Sequence, residues 1–79
     1  MTRLKSPEEL EQNGEGLVFL FSKAGVGKFT SKTITHRLVP GDILIFNRAD
    51  GSKIAAQNKN GEFIFWTFAT IFDYVRLRS

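Results

Sequence analysis

Short runs of apolar, β-branched and aromatic residues, separated by turn residues, dominate the chain after position 16. The runs LVFLFS (17–22), ILIF (43–46) and EFIFWTF (62–68) have the length and composition of β-strands. KIAAQ (53–57) is predicted to form another strand. The Asn-Gly pair in NKNG (58–61) favours the turns that close hairpins, so we expect it to join the last two strands. The pattern predicts a mainly all-β domain.

The stretch KFTSKTITHRLV (28–39) is rich in Thr, Ile and Val and predicts one long strand, or a strand with a bend. Strict alternation would put Lys28, Lys32 and His36 on one side of this strand, and Arg37 on the other. Neither side is cleanly apolar. We therefore expect this strand to lie at a sheet edge or to project as an arm.

The chain before residue 17 carries the signals of a short helix. In SPEELEQ, Ser6 suits the cap, Pro7 the first helical position and Glu9 the third position after the cap, and Asn13-Gly14 would end the helix. We expect residues 1–16 to form an N-terminal arm with a short helix, and residues 17–79 to form a small β-barrel domain.

Two interpretations are open for the C-terminal part of the chain. The tail ATIFDYVRLRS fits a short helical turn followed by a final strand, YVRLR. Alternatively, residues 63–78 form one amphipathic helix, because Phe65, Phe68, Phe72 and Val75 fall at helical spacing.

The order of features over residues 38–78 resembles that of a Src-homology-3 domain. Gly41-Asp42-Ile43-Leu44 leads into an apolar strand, a loop containing Asp-Gly and an Asn-Gly hairpin follow, and Tyr74-Val75-x-Leu77 closes the segment. The resemblance implies a five- to six-stranded Src-homology-3-like barrel, here preceded by the short N-terminal helix. Because unrelated activities share this fold, the resemblance implies little about function.

The peptide-binding residues of that family are mostly absent from this sequence. Its proline-rich ligands lie in grooves walled by aromatic side chains. Ser52 or Lys53 stands at the position of the family's Trp, Ile71 at that of its Pro, and only Tyr74 matches. The resemblance therefore implies the barrel but not the recognition of proline-rich peptides.

Length and composition narrow the class of protein. Seventy-nine residues make one small domain, and the absence of cysteine excludes disulfides and thiolate metal ligands. No apolar run approaches the roughly 18 residues of a transmembrane helix, and no secretory signal begins the chain. We expect a soluble, cytoplasmic protein with no membrane partner.

The net charge of +3 hides an asymmetry along the chain. Two basic and four acidic residues give −2 over residues 1–16, whereas nine basic and four acidic residues give +5 over residues 17–79. A basic body favours anionic partners, although a solvated surface explains the charge equally well. If DNA or RNA binds through its backbone phosphates, the candidate contacts are Lys28, Lys32, Arg37, Arg48 and Lys53.

The stretch SKAGVGKFT (22–30) superficially resembles a phosphate-binding loop. The motif G-x-x-x-x-G-K-[ST] fails at both ends, because Ser22 replaces its first glycine and Phe29 follows Lys28. Two glycines between strand-like runs predict a hairpin turn instead.

No group of residues has the spacing of a catalytic or metal site. His36 is the only histidine, and its nearest acid in sequence is Asp42. The close carboxylates Glu8, Glu9 and Glu11 fall in the predicted helix as capping charges, and nothing has metal-ligand spacing. We expect no catalytic residue, no metal and no cofactor. An enzyme with a site shared between subunits is the third-ranked hypothesis.

The aromatic runs point to a binding surface. They do not alternate with polar residues, so a small barrel with one core would leave half of each run exposed, unless strong twist and flanking segments bury both faces. Exposed apolar patches mark interfaces. The sequence therefore predicts a non-catalytic module that binds another protein or a second copy of itself, with nucleic-acid binding as the alternative. The candidate interface residues are Phe63, Phe65, Trp66, Phe68 and Tyr74.

Overall fold

The computed structural model describes residues 1–70, which are mainly β, as the sequence predicted. These residues form eight strands and one turn of 3-10 helix. The strands are β1 (Thr2–Lys5), β2 (Glu9–Gln12), β3 (Leu17–Gly25), β4 (Gly27–Ser31), β5 (Thr35–Leu38), β6 (Ile43–Asn47), β7 (Ser52–Ala56) and β8 (Glu62–Thr70), and the 3-10 turn covers Arg48–Asp50.

The strands form two antiparallel sheets of four strands each. Sheet A has the order β1-β8-β3-β6, and sheet B has the order β2-β7-β4-β5. The pairs are nested along the chain: β1 with β8, β2 with β7, β3 with β6 and β4 with β5. Such nesting, folded into two facing four-stranded sheets, is the strand order of a jelly roll.

This arrangement differs in detail from the expected barrel. The described residues form eight strands instead of five or six, and they show two sheets with free edges. Among residues 1–70, β5 and β6 are edge strands of opposite sheets that diverge from the turn at 39–42 and do not pair. The backbone N–H of Val39 donates to Asp42 Oδ2 at 2.9 Å, and the N–H of Asp42 donates to the carbonyl of Val39 at 3.0 Å.

The predicted N-terminal helix is wrong. Residues 6–8 form a turn and Glu9–Gln12 form β2, and Glu8, expected as a capping charge, accepts a hydrogen bond from the Lys5 N–H at 2.8 Å within that turn. A helix of two turns is marginal by itself. β2 pairs with β7, and the strand before it, β1, buries Leu4 and pairs with β8, so tertiary pairing outweighs the local capping signals.

The prediction of a hairpin at Gly25-Val26-Gly27 is also wrong, although the segment is a sharp corner. It carries the chain from β3 in sheet A to β4 in sheet B, strands that do not pair with each other. Gly25 has a φ of 76°, and a Cβ there would overlap the Glu62 carbonyl. A Cβ on Gly27 would overlap the Phe63 ring. The glycines allow the corner to pass close to β8.

The predicted strands at 43–46, 53–57 and 62–68 are confirmed as β6, β7 and β8 within a residue or two. The alternative helix over 63–78 is wrong for residues 63–70, which belong to β8. The expected final strand YVRLR lies outside the described residues.

The core lies between the two sheets. Phe63 and Phe65 are fully buried and stack with ring centroids 4.9 Å apart, and Phe29 of sheet B packs against Phe46 of sheet A at 4.8 Å. The cluster of buried apolar residues is Leu4, Leu20, Phe29, Leu38, Ile54, Phe63 and Phe65.

Candidate functional site

The outer surface of sheet A is covered by apolar side chains. The strand register aligns them in two rows, each of which crosses β6, β3 and β8. One row is Ile43, Phe21 and Trp66, and the other is Ile45, Phe19 and Phe68. We call these six side chains the apolar face.

The apolar face is exposed in the described part of the chain. Ile43, Ile45 and Phe68 expose 62%, 56% and 58% of their surface, and Trp66 exposes 44%. The ring of Phe21 meets that of Phe68 edge-on, with centroids 5.9 Å apart. Ring packing of this kind adds stability beyond area burial and holds the exposed side chains in place.

Charged residues of β1 and β8 lie at the margin of this surface. On the outer side of sheet A, Arg3 and Lys5 of β1 stand opposite Ile64 and Glu62 of β8. Arg3 Nε lies 3.4 Å from Glu62 Oε2, with both side chains largely solvated. An uncharged centre with a charged rim is the usual anatomy of a protein-binding surface.

The face exists because three strands are apolar on both sides. In β3, Val18 and Leu20 point into the core while Phe19 points outward. In β6 and β8 the same alternation leaves Ile45 and Phe68 outside. Successive side chains of a strand point to opposite faces, so a run without polar residues necessarily covers both.

The structure divides the predicted interface residues into two groups. Trp66 and Phe68 belong to the apolar face, whereas Phe63 and Phe65 are fully buried and are corrected from surface to core. The reason is the register of β8. Phe63 lies opposite Leu4 and Phe65 lies opposite Ser22, so both rings point into the core together with these buried neighbours. Tyr74 lies outside the described residues.

Four residues of the apolar face were missing from the predicted set. They are Phe19, Phe21, Ile43 and Ile45. The doubly apolar runs LVFLF and ILIF already indicated that one side of each strand would be exposed, but only the pairing of β6, β3 and β8 shows that the three outer sides adjoin.

Three of the five predicted cationic contacts share the outer surface of sheet B. Lys28 stands directly opposite Arg37, and Lys53 is opposite Thr30, two positions along the same side of β4. Lys32 lies in the β4–β5 turn, and Arg48 lies in the 3-10 turn that follows β6.

The expectation that Lys28, Lys32 and His36 share one side of a single strand is wrong. The stretch reverses direction at residues 32–33, so Arg37 pairs with Lys28, and His36 pairs with the buried Phe29. The expectation of an edge strand is confirmed for β5, which borders sheet B.

Acidic residues lie beside these cations. Glu9 and Glu11 of β2 stand opposite Ala55 and Lys53 on the same outer surface, and Lys53 Nζ lies 3.9 Å from Glu9 Oε1. Both side chains of that pair are about half exposed, so the ion pair contributes little to stability. The surface is therefore mixed in charge, with the excess of cations on the side of β4 and β5.

A cleft of about 560 Å³ opens between the β4–β5 turn and β6. Its walls include Phe29 and Phe46, and His36 and Asp50 are among its polar groups. Within residues 1–70, no three His, Cys, Asp or Glu side chains are grouped as metal ligands would be. In that same part of the chain, no helix is long and apolar enough to cross a bilayer.

Comparisons with known proteins return no family model, no curated relative and no solved structure that matches the chain. The resemblance to the Src-homology-3 family therefore stays a prediction from sequence.

Proposed function

We propose that the protein is a non-catalytic binding module that contacts other protein surfaces, in the first instance a second copy of itself, through the apolar face. The observation that supports this proposal most strongly is the grouping of six large apolar side chains, without a charge among them, on one solvent-facing side of sheet A. Contiguous apolar patches of this kind are uncommon on monomers and usually mark interaction sites.

The composition of the face also favours protein binding. Aromatic residues are enriched among the side chains that dominate interface energies, and Trp66 and Phe68 lie side by side with the Phe21 ring. Burial of apolar area stabilises a complex by roughly 25 cal/mol per Å² before the costs of association are subtracted. Trp66 and Phe68 are the expected anchors.

A charge placed in the middle of the face tests the proposal. Phe68→Asp should dissociate the oligomer, because the carboxylate would be desolvated without a partner in the complex but solvated in the monomer. Ile34→Asp is the matched control, since Ile34 is 47% exposed but lies in the β4–β5 turn away from the face. Sedimentation velocity over a concentration series gives the mass of each variant.

The proposal expects a wild-type mass that rises with concentration, a Phe68→Asp variant that stays monomeric, and an Ile34→Asp variant that behaves as wild type. Circular dichroism checks that both variants are folded. A folded Phe68→Asp variant with the wild-type mass at every concentration would contradict the proposal.

The second candidate function is contact with nucleic-acid phosphates through the outer surface of sheet B. The observation that favours it is the direct pairing of Lys28 with Arg37, with Lys53 on the same side. Lysine and arginine contacts to phosphates fix position without reading sequence. Because Glu9 and Glu11 of β2 would repel phosphates, the candidate phosphate-binding surface is limited to the part of sheet B around β4 and β5.

A salt titration separates this candidate from a merely solvated surface. If three phosphates are neutralised, the logarithm of the affinity for single-stranded oligonucleotides should fall with log salt with a slope of about −2. Lys28→Glu combined with Arg37→Glu should abolish that binding. An affinity that the double substitution leaves unchanged would exclude this surface as the site.

A further inference from the structure

The cleft between β5 and β6 exposes side chains that point toward the core. The two strands diverge from the turn at 39–42, and close to that turn Leu38 is 3% exposed and closes the core. Two residues earlier on β5, His36 stands opposite the buried Phe29 and therefore points to the same inner side of sheet B. His36 is nevertheless exposed, and it lines the cleft of about 560 Å³. The cleft is thus an open extension of the core between the two sheets.

The wall that sheet A contributes to the cleft is apolar. Leu44 and Phe46 of β6 stand opposite the buried Leu20 and Val18, so both point inward, and both are only half-buried. The ring of Phe46 packs against that of Phe29, with centroids 4.8 Å apart and planes inclined at 46°. Because aromatic rings pack favourably edge-on or offset against one another, this wall suits a ligand with a ring system.

The end of the cleft beside the 3-10 turn is polar. Ser31 of β4 stands opposite Ser52 of β7, and both residues line the cleft. Ser52 is 7% exposed, and its hydroxyl has no hydrogen-bond partner among residues 1–70. A buried hydroxyl without a partner is destabilising, because it has lost its bonds to water and gained none. A ligand atom that accepts a hydrogen bond at this end would satisfy it.

The charges around the cleft favour an anion. In the described part of the chain, the ionisable side chains that line it are Lys32, His36 and Asp50. Lys32 directly follows Ser31, so it supplies a cation at the same end as the two serine hydroxyls. A carboxylate accepts hydrogen bonds at both of its oxygens, from hydroxyls and from an ammonium group alike. Asp50 opposes an anion here and provides a test with the opposite sign.

We infer that the cleft binds a small aromatic acid. The ring system lies against Phe46 and Phe29, and the carboxylate accepts hydrogen bonds from Ser31 and Ser52 and faces Lys32. The volume of the cleft falls within the roughly 300–1,000 Å³ that is usual for small-molecule sites. This site lies on the inner side of sheet A, whereas the apolar face lies on its outer side, so the inference goes beyond the proposed function and does not depend on it.

The arrangement of the cleft distinguishes this ligand from two other classes. A sugar carries hydroxyls all round its ring and would place some of them against the apolar wall of Leu44 and Phe46, without partners. A purely apolar molecule would leave the Ser52 hydroxyl unsatisfied. An aromatic acid places its apolar part and its polar part where the cleft has the matching groups.

Titration with 2-naphthoate, which joins two fused rings to one carboxylate, tests the inference. We expect one molecule per chain, with a dissociation constant of roughly 1 mM or lower for a ligand of about thirteen non-hydrogen atoms. Calorimetry gives the constant, and heteronuclear NMR should confine the shifted amides to the strands around the cleft. The matched neutral probe is 2-naphthamide, which should bind about fivefold more weakly because its oxygen carries no charge.

Ser52→Ala tests the buried hydroxyl. It should raise the dissociation constant of 2-naphthoate about tenfold, since a hydrogen bond to a charged group is lost. It should not lower the free energy of unfolding, because the hydroxyl has no partner among residues 1–70. Urea unfolding measures that free energy. A Ser52→Ala variant that is less stable and binds 2-naphthoate as wild type does would show that the hydroxyl serves the fold, and would overturn its assignment to the ligand.

Two substitutions of opposite sign test the recognition of the carboxylate. Lys32→Gln should raise the dissociation constant about two- to fivefold, as expected for an exposed ion pair, and Asp50→Asn should lower it. Lys28→Gln is the matched control, because it makes the same change of charge on the outer surface of sheet B. If 2-naphthoate and 2-naphthamide bind equally well, with and without Lys32→Gln, the site does not recognise an acid and the inference is overturned.

Phe68→Asp distinguishes the cleft from the apolar face. It should leave the binding of 2-naphthoate unchanged, because Phe68 points away from the cleft on the outer side of sheet A. If Phe68→Asp abolishes this binding, the probe occupies the apolar face and the inference about the cleft is overturned. An absence of saturable binding to the wild-type protein would overturn it as well. Neither result affects the proposed function, which depends on the mass of the protein in solution.

Discussion

At the scale of single residues, the corner between the two sheets depends on a close contact between Gly27 and Phe63. The ring of Phe63 occupies the space that a side chain at position 27 would need. Phe63 is completely buried and stacked on Phe65, so it has little freedom to move away.

Gly27→Ala should therefore lower the free energy of unfolding by about 1–3 kcal/mol, the usual cost of overpacking a core. Combined with Phe63→Leu, which shortens and narrows the obstructing side chain, the alanine should cost clearly less than it does alone. Urea unfolding of the four proteins measures this coupling. If the free-energy changes of the two substitutions were strictly additive, the Phe63 ring would not be the reason that position 27 requires a glycine.

Asp42 holds the turn that separates the two edge strands β5 and β6. Its Oδ2 accepts a bond from the N–H of Val39 at 2.9 Å in a partly buried setting. Asp42→Ala should lower the free energy of unfolding by about 1 kcal/mol, because it leaves that N–H without its partner. Asp42→Asn keeps an acceptor oxygen and should lose less. A loss as large for asparagine as for alanine would contradict this role.

At the scale of elements, β1 is part of the structural core. Leu4 is buried and pairs with Phe63, whereas its neighbour Arg3 is solvated. Leu4→Ala should lower the free energy of unfolding by about 2–5 kcal/mol, as is typical of buried leucines. Arg3→Ala, which removes only an exposed ion pair, should change it by less than about 1 kcal/mol. If both substitutions lowered the free energy of unfolding by similarly small amounts, β1 would be a loosely attached arm and not part of the core.

The elements also show which features of the fold were predictable from sequence. Strands such as β6 and β8 are recognisable because their apolar and aromatic composition and the turn residues on either side both indicate a strand. The helix expected at residues 6–12 failed because the capping signals are local, whereas the pairing of β2 with β7, from Glu9↔Ala55 to Gln12↔Ser52, joins residues 46 to 40 positions apart. Long-range pairing is invisible to a reading based on neighbouring residues.

The candidate site was predictable only in part for a similar reason. The excess of aromatic residues and the doubly apolar runs indicated an exposed surface. Whether Phe65 or Trp66 is exposed depends on which alternate positions of β8 face the core. A shift of one residue in the register would exchange the buried and the exposed side chains. The addition of Phe19 and Ile45 to the face required the sheet order, which no single run contains.

At the scale of the whole molecule, the two sheets present different surfaces to solvent. Sheet A presents the apolar face and the uncharged edge of β6, whereas sheet B presents lysine, arginine and glutamate. Association through sheet A would leave the charged surface of sheet B in water. The self-association expected here should therefore depend only weakly on salt, in contrast to phosphate binding. Sedimentation at low and high salt distinguishes them.

The fluorescence of Trp66 over a concentration series tests most directly whether the apolar face binds a second copy of the chain. Trp66 is the only tryptophan, lies on the apolar face and is 44% exposed. If this face binds a second copy, the emission should shift to shorter wavelength and acrylamide quenching should fall as the concentration rises. Both changes should have the same midpoint concentration as the increase in mass measured by sedimentation. An emission and a quenching constant that stay unchanged while the mass doubles would show that the chain associates through another surface.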